Sequence, residues 1–105
     1  LRDQREAIIE SQYEKPTTSD LKIDPGWRSY DRGDYVYIEG SVTNCSDKKI
    51  RYYEIGIQYL DKQGNVIDSD YTNGTDVGPG ESQKFEAMHR SSLYQKIHLY
   101  VKEVS

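Results

Sequence analysis

Tyr35 to Ile67, YVYIEGSVTNCSDKKIRYYEIGIQYLDKQGNVI, decides how the rest of the chain is read. From Tyr35 to Asn44, Val36, Ile38, Gly40 and Val42 fall on one face, and Tyr35, Tyr37, Glu39, Ser41 and Thr43 on the other. Such alternation is the mark of a half-buried strand. From Arg51 to Leu60 it continues, with Tyr53, Ile55, Ile57 and Tyr59 against Tyr52, Glu54, Gly56 and Gln58. The aromatic and β-branched enrichment favours strand over helix. Asn44-Cys45-Ser46-Asp47-Lys48-Lys49 between them is a polar loop, and Asp61-Lys62-Gln63-Gly64-Asn65 offers Gly and Asn where a hairpin needs positive φ.

Outward from this stretch the same grammar repeats. Leu21 to Tyr30 holds a first strand, interrupted or bulged at Pro25-Gly26, a dipeptide that favours a type II turn. Trp27 behind it is expected as a core anchor. Asp31-Arg32-Gly33-Asp34 closes a hairpin into the Tyr35 strand; its Arg-Gly-Asp tripeptide is read as turn chemistry. Asn65 to Asp70 is a short strand, with a turn expected at Asn73-Gly74 and another at Gly78-Pro79-Gly80. Glu81 to His89 alternates with Phe85 and Ala87 inward, Ser91 to Gln95 is an irregular crossing, and Lys96 to Val104 closes the domain with Ile97, Leu99 and Val101 inward and His98, Tyr100 and Lys102 outward. Roughly six or seven strands, spaced about ten residues apart with no helix between them, predict an all-β, immunoglobulin-like antiparallel sandwich over residues 21–105. Residues 1–20 read as a stalk or linker: Leu1–Glu14 has the composition of a short, marginal helix, and Lys15-Pro16 breaks it.

Composition narrows the function classes. A chain of 105 residues is one small domain, and its ten tyrosines beside one Trp and one Phe imply a thin, aromatic core. A net charge of -4 with both signs interspersed argues against nucleic-acid binding, which uses a basic stripe. Cys45 is the only cysteine, so neither an internal disulfide nor a cysteine-based metal site can form. No stretch is long and apolar enough for a membrane helix. His89 and His98 fall on different elements without the spacing of a zinc site, and no nucleophile and base are framed together, so enzymatic activity and a cofactor are not expected.

Two sets of residues stand out as candidate sites. Tyr35, Tyr37, Tyr52 and Tyr100 all lie on the side of their strand opposite the expected core. Exposed tyrosine combines a flat apolar body with a hydroxyl, which suits a protein interface or a sugar platform; alternatively these rings pair across strands and stabilise the sheets. Asp68, Asp70 and Asp76, with Asp61 nearby, could place several carboxylates around a calcium ion. The competing reading of the aspartates is a solvated acidic edge that discourages edge pairing, and that is the one expected.

Three motifs in order resemble the FxLYD domain family of Gram-positive extracytoplasmic proteins, over roughly Leu21 to Val104. They are Val36-x-Ile38-x-Gly40-x-Val42-x-Asn44; Ile57-Gln58-Tyr59-Leu60-Asp61, where Ile57 stands for the family's Phe and Tyr59-Leu60 for its Leu-Tyr; and Gly78-Pro79-Gly80-Glu81 leading to Phe85. The resemblance implies a sandwich at the outer face of a bacterial envelope, held by an anchor or lipoprotein signal upstream of Leu1, with structural rather than catalytic motif positions. The expectation is a non-enzymatic, monomeric interaction or spacer module whose partner is a protein or envelope component. The competitor is a ligand-binding module that takes a glycan through the outward tyrosines or calcium through the acidic hairpin.

Overall fold

The two alternating runs become the central strand of each of two antiparallel sheets. The computed structural model describes residues 15–90 and 93–105, so the helix expected over Leu1–Glu14 lies outside the described residues. After a 3-10 turn at Thr18–Asp20 come β1 (Leu21–Ile23), β2 (Arg28–Arg32), β3 (Tyr35–Asn44), β4 (Ile50–Leu60), β5 (Val66–Val77), β6 (Ser82–Arg90) and β7 (Lys96–Val104). In the first sheet β6 lies along one edge of β3, while β1 and β2 share the other. In the second, β4 runs between β5 and β7. The two sheets pack face to face as an all-β sandwich.

The inward set matches the alternation read from the sequence. Val36, Ile38 and Val42 of β3 meet Tyr53, Ile55, Ile57 and Tyr59 of β4, all nearly fully buried, with Leu21, Ile50, Val77 and Phe85 completing the core. Full burial of each aliphatic side chain contributes about 1.5–3 kcal/mol, so this shared layer dominates the stability. Gly40 belongs to that layer because of its neighbours: a Cβ there would lie 2.7 Å from the Phe85 ring and 2.8 Å from the Cβ of Trp27. Trp27 packs half-buried against the core, as expected of an anchor.

The interruption expected at Pro25-Gly26 is present, with Gly26 at φ +93°, and it separates β1 from β2, which pair with opposite ends of β3. One local expectation is corrected. Asn73-Gly74 makes no turn: β5 runs unbroken from Val66 to Val77. Gly74 pairs with Tyr53 and faces inward, and its missing side chain leaves room for the Tyr53 hydroxyl, which donates to Gln83 Oε1 at 2.7 Å. A turn at that point would strip β4 of its partner across Tyr53 and Glu54.

The turns on either side of the core are built as the sequence suggests. Asp61 Oδ1 accepts from the backbone N–H groups of Gln63 and Asn65, both at 2.9 Å, and Gly64 takes φ +87°. Asn44 is fully buried and fully bonded. Its Nδ2 donates to Lys48 O at 2.6 Å and Val77 O at 3.0 Å, and its Oδ1 accepts from Ser46 N and Ser46 Oγ. It therefore caps its own loop and also ties β3 to the end of β5, joining the sheets.

Candidate functional site

The four outward tyrosines divide between the two outer faces, two on each. On the first sheet, the register stacks side chains in rungs: Arg32, Tyr35 and Arg90; then Tyr30, Tyr37 and Met88; then Arg28, Glu39 and Glu86. The Tyr30 and Tyr37 rings stack at 5.4 Å with 14° between planes, and Arg28 and Arg32 lie 6.0 and 5.8 Å from the Tyr30 ring centre. Arg28 grips Glu39 at 2.9 Å, and Tyr30 donates to the same carboxylate at 3.1 Å. Those hydrogen bonds, from Arg28 first and then Tyr30, hold the Glu39 carboxyl below its usual range. Tyr35 and Met88 are exposed, at 42% and 56%. Between the rungs lies a shallow depression of about 450 Å³, lined in part by Tyr30, Tyr37, Glu86 and Met88.

On the second sheet the aromatic rings are tied to their own sheet. Tyr100 lies across β4 over Gly56, where a Cβ would collide with the hydroxyl end of its ring, and it stacks on His98 at 5.8 Å. Tyr52 donates to Glu54 at 2.6 Å and accepts from Asn73 Nδ2 at 3.4 Å. The hydrogen bond to Glu54 raises the Tyr52 hydroxyl above its ordinary range. Lys102 of β7 reaches across β4 to lie 5.5 Å from the exposed ring of Tyr71 on β5. Tyr52 and Tyr100 thus engage Glu54 and His98 of their own strands and Asn73 and Gly56 across the sheet.

The aspartates do not form one site. Asp61 serves its own turn. Asp76 adopts φ 61° and lies 3.8 Å from Lys49; six residues of strand, about 20 Å, separate it from Asp70. Asp68 and Asp70 share the inward face of β5, opposite Tyr59 and Ile57. Rather than a solvated edge, they form a clasp around an imidazole. His89 Nε2 contacts Asp68 Oδ2 at 2.7 Å and Nδ1 contacts Asp70 Oδ2 at 3.0 Å. The ring also stacks on Tyr59 at 4.6 Å, with Tyr94 edge-on to Tyr59 at 5.5 Å.

The charge state of this cluster follows from its geometry. Burial alone would lower the His89 pKa, but the hydrogen bonds and charges of Asp68 and Asp70 outweigh it and raise it above 6.5. With both ring nitrogens facing carboxylates, the imidazolium donates twice, and no ring lone pair is left for a metal. Among the described residues no group of three or more His, Cys, Asp or Glu is arranged to hold a metal ion. Burial first, then the nearby charge of Asp70, pushes the Tyr59 hydroxyl far above its ordinary range, so it stays protonated. The sequence reading weighed His89 only for zinc and catalysis and missed its pairing with the aspartates, although extending the Phe85 and Ala87 alternation by two residues places it inward. The carboxylates that meet it come from a remote strand whose register no local pattern reveals.

Of the remaining singled-out residues, Arg32 and His98 touch the tyrosine groups, packing on Tyr30 and Tyr100. Arg32-Gly33-Asp34 forms the tip between β2 and β3, with Gly33 at φ +63°. Cys45 is an exposed free thiol in the loop after β3. His98 is on the outer face of the second sheet, away from His89.

No protein-family model matches the chain. It is similar to the uncharacterized protein MJ0360 of Methanocaldococcus jannaschii, 35% identical over 57 residues that make up 52% of this chain and 42% of that protein. The match thus takes in under half of the archaeal protein's length, and it carries no activity with it.

Proposed function

We propose that the chain is a non-enzymatic interaction module of an extracytoplasmic protein, and that it presents the outer face of the sheet built on β3 to a protein or envelope component. The observation that carries this is the middle rung of that face. A stacked Tyr30 and Tyr37 lie beside a Met88 that is 56% exposed, with no element of the described chain covering them. Aromatic and Met side chains held rigid on a flat surface are what interface centres are made of. The opposite face, where Tyr100 and Tyr52 are occupied with Gly56 and Glu54, offers less to a partner. Placement outside the membrane, behind an upstream anchor, rests on the FxLYD resemblance. A fold of this kind hosts many functions, so the surface and not the sandwich carries the reading.

The test is cosedimentation of the purified chain with Gram-positive cell envelopes, comparing wild type with the double variant Tyr37→Ser, Met88→Ser. Retention that the double variant loses, with its amide spectrum otherwise native, is the expected result. Equal retention of both proteins would remove this face from the proposal. A chain that does not sediment at all would favour the spacer role alone.

A further inference from the structure

We propose that the rung formed by Arg32, Tyr35 and Arg90 is a subsite for an acidic glycan, with a uronate-bearing pyranose on the Tyr35 ring and its carboxylate taken by the flanking arginines. This deepens the reading that the outer face of the β3 sheet is the presented surface, and it rests on that reading.

Two observations support it, together with the chemistry of the guanidinium group. The register sets one arginine on each side of Tyr35, so their backbones are about 10 Å apart across three adjacent strands, a span that brackets a single sugar ring. Among the described residues neither Arg32 nor Arg90 forms an ion pair, whereas Arg28, one rung further, is already engaged by Glu39. Planar guanidinium forks match a carboxylate in two-point geometry, and two such forks without a carboxylate of their own are set to receive one.

The electrostatics of the face agree. Lys22, Arg28, Arg32, Lys84 and Arg90 point outward from this sheet against Asp24, Glu39 and Glu86, so the face is cationic on a chain whose net charge is -4. The local sign attracts an anion, while the overall charge opposes a dense polyanion. A nucleic acid or polyphosphate carries charge at every repeat. A uronate carries one charge per ring and offers an apolar ring face to Tyr35, with the stacked Tyr30 and Tyr37 beside it as a second platform. Asp34, exposed at the adjacent tip, adds one opposing charge and so favours a ligand that keeps its carboxylate over the arginines.

The experiment is an amide NMR titration of the full 105-residue chain with four probes at equal concentration: a galacturonate hexamer, a neutral glucan hexamer, a linear polyphosphate and a thymidine oligonucleotide. Localised shifts at Arg32, Tyr35 and Arg90 with the galacturonate, weakening as salt is raised, are expected. The double variant Arg32→Gln, Arg90→Gln should lose about tenfold or more in affinity, the scale of a charged hydrogen bond. Tyr35→Ala should weaken galacturonate binding, and Lys62→Gln, in the exposed turn between β4 and β5, should leave it unchanged. Silence with galacturonate, equal response to the neutral glucan, or tighter binding of polyphosphate or oligonucleotide would overturn the proposal. If envelope retention still depends on Tyr37 and Met88 while galacturonate is silent, the glycan inference fails and the presented surface stands.

Discussion

Replacing His89 by Phe keeps a ring against Tyr59 and removes the two contacts to Asp68 and Asp70, which are 2.7 and 3.0 Å long. Hydrogen bonds to charged groups contribute about 1.5–3 kcal/mol each, and stripping one partner from a buried pair costs about 3–5 kcal/mol. The Asp68 and Asp70 side chains are 39% and 33% exposed, so water reaches the carboxylates once released and the lower end applies. The expected loss is therefore about 2–3 kcal/mol, a fall in Tm of roughly 10–20 °C for a domain of this size. The assay is urea unfolding followed by Trp27 fluorescence, repeated across pH. His89 has its folded pKa above its unfolded value of 6.5, so its contribution is complete below that pH and fades as pH rises through the folded value. The gap between wild type and His89→Phe should thus be widest just below 6.5 and narrow on the alkaline side. A variant within about 0.5 kcal/mol of wild type, or a gap that widens with pH, would refute the clasp as a stabilising ion pair.

Three further outcomes are expected. Asn44→Ala removes the buried amide that donates to the Val77 and Lys48 carbonyls and should cost about 3 kcal/mol, read as a lower urea midpoint at unchanged slope. Gly56→Ala places a methyl group where the Tyr100 ring lies and should cost about 1–3 kcal/mol; adding Tyr100→Ser should recover most of it, visible as coupling in a double-mutant cycle. Millimolar calcium should leave Tm unchanged, because a ligand that binds only the native state raises it and Asp61, Asp76 and the Asp68–Asp70 pair lie at three separate places; a concentration-dependent rise would restore the calcium reading.

What the sequence discloses and what it hides divide along a physical line. The inward residues of β3, β4 and β7 were legible because each strand carries its own period, and burial of one face enforces it. The Gly33, Gly64 and Gly80 turns were legible because positive φ selects glycine. Asn73-Gly74 misled for the same reason in reverse: the dipeptide is the usual hairpin signal, but here the glycine answers to the Tyr53 hydroxyl from another strand. The outward direction of all four tyrosines was readable strand by strand. Their division into two separated pairs was not, since which strands share a sheet depends on pairing between remote segments.

The clasp belongs to a longer polar seam that explains why β5 looked unlike a core strand. Its inward residues are Asp68, Asp70, Thr72 and Gly74, where β4 beside it shows Tyr59, Ile57, Ile55 and Tyr53. β5 and β6 are the edge strands of the two sheets on one side of the sandwich, and hydrogen bonds close the gap between them. Thr72 Oγ1 donates to Glu86 O at 2.8 Å, Gln83 Nε2 donates to Thr75 O at 2.9 Å, and His89 spans Asp68 and Asp70. Apolar contact tolerates sliding, whereas these bonds are directional. A one-residue slip of β5 would turn Asp68, Asp70 and Thr72 away from their partners and bring Ile67, Ser69 and Tyr71 in. The seam therefore fixes the register of a strand whose own hydrophobic pattern is too weak to fix it. Its margin is also where the sandwich has the least apolar burial to lose. Hydrogen exchange along β5 should accordingly quicken in His89→Phe before β3 and β4 respond, the order expected when a sandwich opens from its least apolar edge.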